Sequence, residues 1–303
     1  MTKKLECSNE NSGESMVCLR DLSGLWRRSL IAWPDGRSDS TTEVFWLQGP
    51  RHYADLRVPA GRPRFSGIKS LRDLDWTMLR FMARQEGFFG RFDIVDSVGY
   101  WHRAFDYQPD SGVADRGRLA FENGILIERG VDLPYVEHWA RPLACDSAMA
   151  LSLATDAGTL GCLVMAGDAF IYARDRATPL PRGATLNQMI DGAASLKTAQ
   201  ELFDCEISFG RRHGDDWRIE CSSHRYREGR ALSPALDCVN QLLVIDDVTP
   251  EGTPIKRGWR ITAYESSRNV PLSFWFGSNG AENAPGPSGW AHHMDTAAFG
   301  ETR

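Results

Sequence analysis

Apolar and polar residues alternate in short runs along most of this chain, and turn-forming motifs separate the runs. No other feature restricts the fold as much, because period-two alternation puts successive side chains on opposite faces of an extended strand and does not suit a helix. In the first half the runs fall at 25–33, 41–48, 52–58, 88–98, 100–107, 116–122, 125–131 and 135–141, eight candidate strands. Pro34-Asp35-Gly36, Gly49-Pro50 and Asn123-Gly124 punctuate them, and Asn-Gly is the favoured pair for a type I′ hairpin. One helix is predicted at 70–87: Ser70 serves as N-cap, Leu71, Leu74, Met78, Leu79 and Met82 recur at helical spacing, and Gly87 closes it.

The second half repeats the plan. Strands are predicted at 147–156, 159–166 and 169–175, a helix over 185–201, then strands at 202–213, 216–224, 236–240, 242–248 and 256–265. Gly49 matches Gly167 at an offset of 118, while Ser70, Leu71, Leu74 and Phe88 match Thr185, Leu186, Met189 and Phe203 at 115. These offsets read as an internal duplication with too long a period for a solenoid. Antiparallel strands linked by hairpins lose both exposed edges by closing on themselves. The expected fold is therefore mainly β: two tandem eight-stranded up-and-down barrels, each with one helix between its third and fourth strands. A two-sheet sandwich is the rival. The boundaries follow as a polar, mobile N-terminus at 1–21, a first barrel at 22–144, a second at 145–266 and a flexible tail at 267–303. Phe274, Trp275 and Phe276 form an apolar cluster suited to docking on a barrel wall.

Charge narrows the partners. The net charge is −5 with acids and bases interspersed, which argues against nucleic acid and against a polybasic membrane surface. No apolar run follows Lys3 and Lys4, so neither a secretory signal nor an anchor is expected and the reading is cytoplasmic. Seven cysteines without a Cys-x-x-Cys pair fit reduced thiols, and no metal or cofactor motif is present, so no cofactor is expected. A homodimer is compatible with everything in the sequence.

The runs SGLWRRSLI, STTEVFWLQGPRHYADLRVP, FGRFDIVDSVGYWHRAFDYQP and LIERGVDLPYVEHW carry a resemblance that spans most of 22–141. They look like the tandem lipocalin-like barrel family typified by a small fungal casein-kinase-interacting protein with bacterial relatives. The resemblance implies two lipocalin-like barrels in one chain and implies no biochemical activity.

Alternation divides each strand into faces. Trp26 and Arg28 share one, as do Val44 and Trp46; Tyr53, Asp55 and Arg57; Tyr100 and His102; and Tyr135, Glu137 and Trp139. Two readings of Asp55 and Arg57 stay open, a weak surface pair or part of a lumen, and His102 reads as readily as a surface histidine. In the lumen reading, Trp26, Arg28, Trp46, Tyr53 and Tyr135 bind a small, largely aromatic or apolar molecule bearing one polar or acidic group. His102, Asp55, Glu137 and Arg57 then supply cofactor-independent acid/base chemistry of lyase, isomerase or cyclase type. At the offset of 118, Asp55 becomes Ala173, Arg57 Asp175, Trp46 Val164 and Tyr53 Ile171, so the second barrel is expected to be scaffold or interface. The alternative is a non-enzymatic protein-interaction adaptor with barrels filled by side chains.

Overall fold

The computed structural model describes residues 16–63, 67–145, 147–237, 240 and 242–276; the N-terminus up to 15 and the tail from 277 lie outside the described residues. A single helical turn, α1 (Leu19–Leu22), leads into β1 (Gly24–Ala32), and the short β2 (Ser38–Asp39) folds back on the end of β1. There follow β3 (Glu43–Gln48), β4 (His52–Val58), a 3-10 turn (Leu71–Asp73), α2 (Trp76–Met82), β5 (Glu86–Val95), β6 (Val98–Asp106), β7 (Arg116–Glu122), β8 (Ile125–Gly130) and β9 (Val136–Ala144). Each long strand pairs antiparallel with the next, and β9 returns to pair with β1, so the barrel closes. Asn123 and Gly124 both take positive φ, 51° and 82°, as a type I′ hairpin requires.

The helix predicted over 70–87 is shorter and broken. Asp73 accepts from the backbone of Lys69 and Ser70, ending one turn at Leu74, and Asp75 then caps α2 by accepting from the Met78 N–H at 2.8 Å. Two capping carboxylates two residues apart each start their own turn, and Gly87 belongs to β5.

The second half contains β10 (Ala148–Ala154), β11 (Leu160–Ala166), β12 (Ala169–Arg174), α3 (Leu186–Gly192), α4 (Leu196–Glu201), β13 (Glu206–His213), β14 (Asp216–Ser222), β15 (Ala235–Asp237), β16 (Leu242–Val248), β17 (Pro254–Ser266) and α5 (Ser273–Phe276). Its sheet runs β14-β13-β12-β11-β10-β17-β16-β15 and curls without pairing its two edge strands. The segment 229–232 spans the gap instead: Ile219 N–H donates to Arg230 O, Leu232 N–H to Trp217 O, and Asp246 N–H to Leu232 O. The predicted strand at 236–240 is seen only as β15, and Cys238 and Val239 lie outside the described residues.

Three apolar cores result. One fills the first barrel, one fills the second, and the third joins them, where Phe45, Leu47, Ala54 and Leu56 on the outside of β3 and β4 meet Val164, Ile171, Ala173 and Phe209. Phe45 and Phe209 stack at 4.1 Å. The terminal helices close the lower ends of the barrels. Leu22 of α1 packs inside the first, and Trp275 of α5 inside the second, its indole N–H donating to Tyr264 at 3.0 Å.

This third core corrects the offset of 118. Trp46 pairs with Asp55 across one hairpin, and the geometrically equivalent pair in the other is Leu163 with Tyr172, an offset of 117. Both hairpins turn on two residues, Pro50-Arg51 between Gly49 and His52 and Gly167-Asp168 between Ala166 and Ala169, so Gly49 stands just before its turn while Gly167 stands within its own. Aligning the glycines therefore slips the register by one and exchanges the two faces. Val164, Ile171 and Ala173 face the first barrel; the second lumen is lined by Leu163, Phe170 and Tyr172.

Candidate functional site

The first lumen is layered. In its lower part Trp46 meets Trp26 at 5.8 Å, Trp139 at 5.3 Å, Trp101 at 5.7 Å and Phe92 at 6.1 Å between ring centroids. Tyr53 and Phe88 continue the packing edge to face. The indole N–H of Trp26 donates to Leu22 O at 2.7 Å and that of Trp46 to Gln48 at 3.2 Å, so the rings are held by polar as well as apolar contacts. Trp46, Tyr53, Phe92 and Leu126 have no accessible surface at all. Side chains with none face neither solvent nor a void able to hold a water molecule.

Above the rings lies a charged layer. β4 delivers Asp55 and Arg57, whose Nε donates to Asp55 at 2.9 Å. β1 delivers Arg28, which bonds Glu137 of β9 at 2.6 Å, and Arg57 approaches the same carboxylate at 3.9 Å. β8 adds Glu128, directly across from Glu137 in the sheet. Glu128 accepts from the Tyr135 hydroxyl at 2.7 Å and from the Trp139 indole at 3.1 Å. Arg103 lies over the Phe88 ring and pairs with Asp106 and Asp115. Asp55, Glu128 and Glu137 are each at most 3% exposed.

Burial governs the protonation of this layer. It lifts Asp55 to about 6, even though Arg57 and Arg28 pull the other way. It holds the Glu128 carboxyl far above its ordinary range, with the neighbouring Glu137 charge adding to the effect. Burial opposes the charge of Arg57, but Asp55 and Glu137 keep it protonated. Burial and the Glu137 charge thus favour the neutral form of Glu128, beside a carboxylate that is shared by two arginines. The Tyr53 hydroxyl, fully buried nearby, has no hydrogen-bond partner among the described residues.

The structure brings together Trp26, Arg28, Trp46, Tyr53, Asp55, Arg57, Tyr135 and Glu137 on the inner side of the first barrel. His102 is corrected: it points outward, its side chain 60% exposed and 3.5 Å from Asp93. Trp101 and Arg103 take the inward positions, and a bulge between Phe89 and Gly90 then shifts the alternation so that Asp106 also turns inward. A Cβ on Gly90 would lie 1.8 Å from His102 O, so the bulge depends on glycine. Glu128 was missed by sequence reasoning; its signal is the alternation Leu126, Glu128, an acid on the same face as a core leucine.

The second barrel has its own charged layer. Arg174 bonds Asp204 at 2.6 Å, Arg227 bonds Glu206 at 2.8 Å, and Arg257 bonds Asp247 at 2.5 Å. Arg57 pairs across the sheet with Glu86, and Arg174 with Glu206, so each barrel places an arginine at the same point. Among the described residues, no group of three or more His, Cys, Asp or Glu is arranged to hold a metal ion, and no helix is long and apolar enough to cross a membrane.

No family model and no curated protein matches the chain. A crystal structure of the uncharacterized protein YLR301w of Saccharomyces cerevisiae is similar at a TM-score of 0.46 and 10% identity, covering 80% of this chain and 98% of that one.

Proposed function

We propose that this chain is a non-enzymatic interaction protein, built on two lipocalin-like barrels related by internal duplication and acting through its surface. One observation carries the reading: the Trp46 cluster leaves the first lumen no room for a flat apolar guest. The Gly90 and Gly210 bulges support the kinship of the barrels, since each sits at the matching point of the β5–β6 and β13–β14 pairings.

Titration of the full chain with the neutral fluorophore 1-aminoanthracene tests the reading. A filled barrel gives no saturable signal. Stoichiometric uptake would restore the expectation of an aromatic ligand and remove the adaptor.

The charged layer favours a second reading, a small polar ligand handled by acid/base chemistry. Asp55, poised near neutrality beside Arg57, is suited to exchanging a proton. In that case Asp55→Asn and Glu137→Gln abolish turnover of a substrate while affinity is largely kept; unchanged turnover in both would dismiss it.

A further inference from the structure

Where the first barrel is sealed by the pairing of β1 and β9, the described residues close the second through the segment 229–232 and the Arg227 side chain, which donates to Asp246 O at 3.0 Å. An open cleft of about 490 Å³ lies at that seam, between this segment and the β16–β17 hairpin, and Arg227, Arg230, Asp246, Asp247 and Lys256 line it. Arg227 and Asp247 belong at once to the cleft and to the charged layer beneath.

Three polar groups on the inner side of that layer are unsatisfied. The Tyr172 hydroxyl, the Trp259 indole N–H and the Arg174 Nε are buried and find no hydrogen-bond partner among the described residues. They are neighbours: the Tyr172 and Trp259 rings are 6.3 Å apart, and Arg174 Nε stops 3.7 Å from Asp247, beyond hydrogen-bond reach. Buried polar groups are almost always satisfied, so three together mark an absent partner. Indole and guanidinium N–H groups only donate, and the hydroxyl can, so the partner is an acceptor. Counting the layer and the cleft, Arg174, Arg227, Arg230, Lys256 and Arg257 face Asp204, Glu206, Asp246 and Asp247, five positive charges against four negative. One surplus positive charge matches a monoanion better than a phosphate dianion.

We infer that the seam of the second barrel is a binding site for a small monocarboxylate, whose oxygens take the N–H and O–H groups of Trp259, Arg174 and Tyr172. The donors are covered in the unliganded protein, so the carboxylate reaches them as the 229–232 segment parts from the β16–β17 hairpin.

Titrations of the full chain with formate, acetate and 4-fluorobenzoate, followed by NMR of the probe, test the site, with inorganic phosphate as the contrasting anion. Saturable binding of at least one carboxylate is expected, weakened roughly five- to tenfold by Tyr172→Phe. The same variant should melt no lower than the parent, because it deletes a hydroxyl that has no partner in the free protein. Trp259→Phe gives a second reading of the same kind, and Tyr172→Phe suffices if that variant fails to fold. The proposal is overturned if none of the three carboxylates saturates, if phosphate saturates in their place, or if Tyr172→Phe binds as tightly as the parent.

Discussion

Glu128 and Glu137 face each other across two strands, and their opposite fates follow from who else is near. Glu137 neutralises Arg28 and part of Arg57; Glu128 has a hydroxyl and an indole as partners, and burial biases it toward its protonated form. Glu128→Gln imitates the protonated acid, so it should change stability by no more than about 0.5 kcal/mol at neutral pH. Glu137→Gln takes the 2.6 Å carboxylate partner from buried Arg28, leaving it Asp39 at 3.8 Å, and should cost roughly 3–5 kcal/mol, while Arg57 keeps Asp55. Urea denaturation of the two variants separates them, and equal costs would show that both acids are ionised. Asp55 gives a pH signature. Its ordinary pKa of 3.8 rises to about 6 on folding, so between those values the folded chain holds a proton that the unfolded chain has lost. Stability therefore falls as pH rises through that window, by roughly 3 kcal/mol at most, and the loss is complete above it. Glu128, raised by burial, adds a loss of the same sign. In Asp55→Asn the decline between pH 4 and 6 should flatten, as read from denaturation midpoints. At this scale the sequence was legible in part: alternation groups Tyr53, Asp55 and Arg57 correctly, but only closure of the sheet tells inside from outside.

Strands and hairpins were readable because turn residues and alternation are local signals. What escaped were the single-residue irregularities that decide which face is which. Gly49 stands just before its two-residue turn and Gly167 within its own, so matching the two glycines reversed the assignment of Val164, Ile171 and Ala173, and the Gly90 bulge brought Arg103 and Asp106 to the same side while His102 went outward. Neither leaves a mark in residue type beyond a glycine. Gly90→Ala should be destabilising by about 1–3 kcal/mol, since its methyl group would collide with a carbonyl oxygen of the partner strand. Thermal melting checks this; a silent substitution would mean that the strand pair can dispense with the bulge.

For the whole molecule, the third core matters most. Phe45, Leu47, Ala54 and Leu56 are covered by the second barrel and would be bared without it. Glu265 of β17 also grips the first barrel, accepting from the Arg51 and His52 backbone at 3.0 and 3.2 Å and from the His52 ring at 2.9 Å. The barrels are therefore expected to unfold together, with far-UV dichroism and tryptophan fluorescence tracing one coincident transition. Two separated transitions would mean that this interface contributes little.

The most direct test of a filled first barrel is the stability of Trp46→Ala in the presence and absence of indole. A packed lumen predicts a loss of about 3–5 kcal/mol, partly restored when indole occupies the vacated space, while the parent chain binds no indole. A loss below about 1 kcal/mol, or saturable indole binding by the parent itself, would contradict it and show a lumen already open to a guest.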